Sequence, residues 1–106
     1  MYGTSPSLRS VMVANGDGAK KIWATEFGAP TEGPGAVSEA TQAAMLSRAY
    51  ALYRSYAWGG PLFFYQGRDL STITSTRENF FGFLRHDFSP KPAFTAYQQA
   101  ALAALG

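Results

Sequence analysis

Lys20-Lys21-Ile22-Trp23-Ala24-Thr25-Glu26-Phe27-Gly28 is the stretch around which the rest of the chain is organised. Ile22, Trp23 and Thr25 are β-branched or aromatic, and the run is short, so it reads as a strand. The carboxylate of Glu26 stands at the C-terminal end of that strand. Gly28 follows and can take backbone angles that other residues avoid, which allows a sharp turn just past the acid. In parallel α/β folds this end of a strand is where chemistry is done. A single strand-end glutamate is also a common solvated side chain, so its surroundings decide its role.

Composition narrows the classes. The chain has 106 residues, enough for one small domain and not two. Hydrophobic residues make up 46% and aromatic residues 15%, which is globular rather than disordered composition. There is no cysteine, so neither a disulfide framework nor a thiolate metal site is possible. His86 is the single histidine and reads as a loop or surface residue. No metal or cofactor is expected. The net charge is +2 and the basic residues are scattered, so no nucleic-acid patch is expected. No segment has the apolar length of a membrane span. Met1-Tyr2-Gly3-Thr4-Ser5-Pro6 lacks the charged-then-apolar pattern of a signal peptide. The chain is expected either not to be exported by itself or not to begin at its natural start, and its compartment stays open.

Around the central stretch the pattern alternates. Ser5-Pro6 opens a helix with Ser5 as cap, Pro6 in the first turn, and Leu8, Val11 and Met12 on one face. Asn15-Gly16-Asp17-Gly18 ends it. After the strand, Ala29 to Gly35 is a Pro/Gly loop on the side of Glu26. Ser38-Glu39 starts a long amphipathic helix. Its stripe is Met45, Ala49, Leu52 and Tyr56, widened by Leu46, Tyr50 and Tyr53, with Gln42 elsewhere. Leu62-Phe63-Phe64-Tyr65 is a continuous apolar run, as in strands covered on both faces. Gln66 to Asn79 is a long polar loop. Asn79 to Arg85 is apolar, extended or one helical turn. Lys91-Pro92 sets the start of a last helix bearing Phe94, Tyr97, Ala101, Leu102 and Leu105.

The fold class expected is α/β, with helix-strand-helix-strand-helix order and two main parallel strands in a βαβ unit. Two parallel strands cannot close a sheet, and their faces need cover. The pattern therefore predicts part of a larger α/β structure. An eight-stranded barrel takes about 250 residues, so this chain is less than half of one.

Ile22-Trp23-Ala24-Thr25-Glu26-Phe27-Gly28 resembles the seventh-strand motif of retaining (β/α)8 glycoside hydrolases, the cellulase and β-xylosidase-like group. Phe63-Phe64-Tyr65-Gln66-Gly67-Arg68-Asp69 is similar to the eighth strand and its loop. Asn79-Phe80-Phe81-Gly82-Phe83-Leu84, with Ser89-Pro90-Lys91-Pro92-Ala93-Phe94, resembles the stretch entering the last helix. The three occur in the right order and span nearly the whole chain. The resemblance implies a partial (β/α)8 TIM barrel over residues 1–106, the C-terminal part of a glycoside hydrolase domain. It implies a carbohydrate substrate with β-linked sugars, and Glu26 as catalytic nucleophile. Retaining hydrolysis needs one carboxylate to attack and a second to protonate the leaving oxygen, about 5–5.5 Å apart. The family's acid/base glutamate follows an asparagine on the fourth strand, which would lie before Met1. Glu78-Asn79 has the reverse order and follows the eighth strand. Glu32 and Glu39 read as loop and helix-start residues. Without the acid, a contribution of about 10²–10⁴-fold is lost, so the isolated chain is expected to be inactive or nearly so.

The resemblance further implies an aromatic sugar platform, Phe64 or Tyr65, of which only one can face the site. Gln66, Arg68 and Asp69 would be polar contacts at its rim. Packing for the aromatics and a solvated loop for the polar residues are the competing readings. Glu26 could instead pair with an arginine such as Arg68, and Trp23 reads as core. A second class of function is a non-catalytic module that binds carbohydrate. Such a module, or the fragment itself, could self-associate through its open sheet edges or pair with the missing N-terminal part of a barrel.

Overall fold

A computed structural model describes residues 7–105, and its strands follow the two apolar runs. β1 spans Ile22–Phe27 and β2 spans Gly59–Phe64, hydrogen-bonded side by side and parallel. Between them runs α2, Glu39–Arg54. α1, Leu8–Ala14, precedes the sheet, and α3, Pro92–Leu105, follows it. A 3-10 turn over Arg77–Phe80 interrupts the long loop after β2. The result is a small α/β unit with helix-strand-helix-strand-helix order. No helix among the described residues is long and apolar enough to cross a membrane.

α2 begins where the capping signal lies. The Ser38 hydroxyl accepts from the Thr41 amide at 3.0 Å, satisfying one of the free donors of the first turn. Its inward face differs from the expected stripe. Leu46 and Gln42 are fully buried, whereas Leu52 is half exposed. The Tyr50 hydroxyl donates to the Leu62 carbonyl, and that of Tyr53 donates to the Ile22 carbonyl. Those two bonds turn the face through residues 42, 46, 50 and 53 towards the sheet. α3 then packs along α2 and presents Ala93, also fully buried.

α1 starts at Ser7 rather than Ser5. The Ser7 hydroxyl accepts from the Ser10 amide, and the Ser10 hydroxyl accepts from the Ser7 amide, a reciprocal capping pair. Ser5, Pro6 and the side chain of Leu105 lie outside the described residues. Leu8 and Val11 are exposed and only Met12 of the expected face is half-buried, because α1 packs little against the rest of the unit.

The sheet register has two irregularities. Ile22 pairs with Gly59 and Ala24 with Leu62, so β2 carries one extra residue there. Ala24 pairs with Leu62 and Phe27 with Phe64, so β1 carries one extra residue there. A bulge of this kind breaks the two-residue alternation of side chains. Ile22, Ala24, Phe27, Leu62 and Phe64 are half-buried, while Trp23, Thr25, Glu26, Pro61 and Phe63 are exposed. One sheet face is covered by helices and the other is open. Pro61 lies at the first irregularity, a position a proline tolerates within a strand. Trp23, expected in the core, is 62% exposed, because its strand face has no helix over it.

Candidate active site

The C-terminal ends of β1 and β2 meet at one edge of the unit. The Tyr65 amide donates to the Phe27 carbonyl at 2.7 Å, extending the pairing one step beyond β2. Gly28 lies against Tyr65, and a methyl group at Gly28 would overlap the Tyr65 carbonyl oxygen. The glycine is thus required by close approach of two backbones rather than by an unusual turn. The Tyr65–Gln66 peptide is cis. Beyond it the chain pairs with the stretch before α3. The Gln66 amide donates to Phe81 O, the Phe83 amide to Gln66 O, and the Leu84 amide to Gly67 O, all within 3.0 Å. Of the segment 79–85, Asn79 and Phe80 close the 3-10 turn and the rest is irregular chain bridged to Arg68 at Leu84.

A buried charge pair locks these loops. The Lys91 ammonium donates to Asp69 Oδ1 at 2.8 Å, to Thr31 Oγ1 at 2.9 Å and to the Phe80 carbonyl at 3.4 Å. All three of its protons thus have acceptors. Asp69 Oδ1 also accepts from the Gly82 amide at 2.8 Å. The pair joins the loop after β1, the loop after β2 and the entry to α3. Gln42 adds a second tie, donating to the Ala29 and Gly82 carbonyls at 3.0 and 3.2 Å. A rigid surround of this sort is what a strand-end side chain needs to hold one geometry.

The six expected site residues separate into two groups. Glu26 is exposed on the open face and makes no hydrogen bond or ion pair among the described residues. Tyr65 is half-buried, with its ring edge-on to Phe81 at 5.6 Å. These two stand at the ends of neighbouring strands. The other four lie elsewhere in the unit. Phe64 stacks on Phe83 at 5.6 Å, on the helix-covered side, so it is packing and not a platform. Gln66 is half-buried, and its side-chain nitrogen is buried without a hydrogen-bond partner among the described residues. Arg68 donates through Nε and a terminal nitrogen to the His86 carbonyl, and its guanidinium lies 4.0 Å above the Phe88 ring. It is held by that loop and does not pair with Glu26. Asp69 is 4% exposed and bonded to Lys91, so it is a structural anchor. His86 is exposed in a turn, as read from the sequence.

Other carboxylates nearby are also engaged. Glu39, in the first turn of α2, accepts from Arg85 through both oxygens, at 2.6 and 3.2 Å. That bidentate bond holds the Arg85 guanidinium charged, above its ordinary range. Asp87 is held below the ordinary carboxylate range by the Ser89 hydroxyl and amide. Glu26 has no such partner among the described residues; the exposed Glu32 and Glu78 have none either, and of these three Glu26 alone stands at a strand end.

Sequence reasoning missed the open-face aromatics. Trp23 and Phe63 approach with ring centroids 6.4 Å apart, exposed by 62% and 48%. Strand parity carried the signal: Phe63 and Tyr65 lie two apart, with Phe64 facing the other way.

The chain matches no protein-family model. It matches no curated protein either. Among solved structures it is similar to a family 39 glycoside hydrolase from the gut symbiont Bacteroides cellulosilyticus WH2, with 35% identity over 77% of this chain and a TM-score of 0.65. It is also similar in fold to a Faecalibacterium prausnitzii beta-glucuronidase, with 19% identity over 95% of this chain and a TM-score of 0.63. The chain spans 16% of the first of these proteins and 20% of the second. The fold of this chain is thus glycoside hydrolase-like, corresponding to a part of those larger structures.

Proposed function

We propose that the chain is the nucleophile-bearing portion of a retaining β-glycoside hydrolase barrel, with Glu26 as the attacking carboxylate. The observation that carries this reading is the position of Glu26. It is exposed and unpaired at the C-terminal end of a parallel strand, while Glu39, Asp69 and Asp87 are committed to Arg85, Lys91 and Ser89, and Glu32 and Glu78, also unpaired, lie off the strands. The 35% identity with a family 39 glycoside hydrolase supports the chemistry. A free carboxylate held beside a sugar could attack its anomeric carbon, forming a glycosyl ester as the aglycone leaves with the bonding electrons. The open face bearing Trp23, Thr25 and Glu26 would be the inward face of the barrel. Tyr65, on the neighbouring strand, would meet the sugar ring as an apolar platform.

No second carboxylate is assigned as the acid in this chain, so the leaving group matters. A 2,4-dinitrophenolate departs unprotonated, whereas a more basic 4-nitrophenolate benefits from an acid. The expected result for the isolated chain is no sustained turnover of 4-nitrophenyl β-glycosides. With 2,4-dinitrophenyl β-glycosides, a single equivalent is released without turnover, and Glu26→Gln abolishes it. Release that is identical in Glu26→Gln would overturn the nucleophile assignment. Sustained hydrolysis of 4-nitrophenyl glycosides, lost in Glu26→Gln, would overturn the missing-acid part.

A second reading is favoured by the exposed Trp23–Phe63 pair. The open face would then bind sugar rings without catalysis, or pair two copies of the chain. Titration with cello- and xylo-oligosaccharides, read by tryptophan fluorescence, tests the first. Size-exclusion chromatography across concentration tests the second. No spectral change at high sugar counts against the binding form, and a concentration-independent monomer counts against pairing.

A further inference from the structure

At the opposite end of the sheet from Glu26, a cavity of about 410 Å³ opens between the C-terminal end of α2, the start of β2 and α3. Its size falls within the range of small-molecule sites, about 300–1,000 Å³. Three features define what it can take. Its walls are aromatic: Tyr50, Tyr53 and Tyr97 line it, with Tyr50 edge-on to Tyr97 at 5.9 Å. The hydroxyls of Tyr50 and Tyr53 are already spent on the Leu62 and Ile22 carbonyls. Those two therefore offer ring surface to a ligand rather than free donors. Opposite them, α3 contributes Ala100, Ala101 and Ala104, whose short side chains leave the space unfilled.

The lining also includes two exposed cations, Lys21 and Arg54. Neither makes an ion pair among the described residues, although Lys20, Arg85 and Lys91 do. Among the described residues no carboxylate lines this cavity. An aromatic wall with unpaired positive charge beside it suits a flat ring that bears one negative charge.

We propose that this cavity is a binding site for small aromatic monoanions, such as aryl carboxylates. The ring lies between Tyr50, Tyr97 and the alanines of α3, and the carboxylate reaches Lys21 and Arg54. The site is separate from Glu26 and does not depend on the glycosidase reading.

Naphthalene-2-carboxylate and its neutral isostere naphthalene-2-carboxamide test it, by isothermal titration calorimetry and ¹H–¹⁵N correlation spectra of the 106-residue chain. The carboxylate is expected to bind about tenfold more tightly than the amide, with shifts at Tyr97, Ala100 and Ala104. The double charge reversal Lys21→Glu/Arg54→Glu changes only exposed side chains and is expected to remove that preference. Ala100→Leu is expected to block both probes by filling the space. Equal affinity for the two probes overturns the charge assignment. Shifts confined to Trp23 and Phe63, or no binding at millimolar probe, overturn the site.

Discussion

The two faces of the small sheet are built on different terms. On the helix-covered side and in the loops beyond the strand ends, the buried polar side chains are committed apart from Gln42 Oε1 and Gln66 Nε2. Lys91 and Asp69 bond to each other and to three chain segments, Gln42 bridges two loops, and Leu46 and Ala93 are fully buried. On the open face Trp23 and Phe63 lie exposed, and Glu26 has no partner among the described residues. One side thus supplies rigidity, and the other presents an unpaired carboxylate on that frame. Of the carboxylates left unpaired among the described residues, Glu26 is the one held at a strand end.

The largest expected effect lies in the buried pair. Lys91→Met leaves the Asp69 carboxylate buried without its cation. Removing one partner of a buried pair costs about 3–5 kcal/mol, read as a lowered urea midpoint. On the open face, Trp23→Ser and Phe63→Ser are expected to shift stability by no more than about 0.5 kcal/mol in the isolated chain. If those two matched the effect of Lys91→Met, the open face would be covered in solution and the contrast would fail.

Gly28→Ala comes next. Its added methyl overlaps the Tyr65 carbonyl, so the two strand ends must part. Overpacking of this kind costs about 1–3 kcal/mol, again read by denaturation. Tyr50 sharpens the comparison at alkaline pH. Burial, then the nearby Tyr97, raises its pKa above the ordinary tyrosine value. A raised folded-state pKa gives stability that is full below about pH 10 and lost as pH rises through the shifted value. Tyr50→Phe is therefore expected to flatten the alkaline decline in melting temperature. An unchanged decline would show that Tyr50 is not responsible for it.

Much of the frame was legible in the sequence because it rests on local rules. Ser38 caps α2, Pro92 begins α3, and the two apolar runs became parallel neighbours. What escaped were features set by contacts distant in sequence. Asp69 and Lys91 are 22 residues apart, and nothing local showed that they would be buried together. Gln42 falls outside the helical stripe expected through Leu52, yet it is buried. The tyrosine hydroxyl bonds to the sheet rotated that stripe. Of the expected site, the strand-end position of Glu26 was readable from its motif. The parity that turns Phe64 inward was available in principle, but the bulges in the register blurred it.

The central claim is that Glu26 is a nucleophile poised on a rigid strand end. It is tested most directly by incubating the chain with 2,4-dinitrophenyl 2-deoxy-2-fluoro-β-glycosides, followed by intact mass and peptide mapping. The 2-fluoro group slows hydrolysis of a glycosyl ester, and the phenolate leaves without an acid. The expected result is a single glycosyl adduct on the peptide containing Glu26, absent in Glu26→Gln. An adduct on another carboxylate, or none with any sugar in the panel, would contradict the claim.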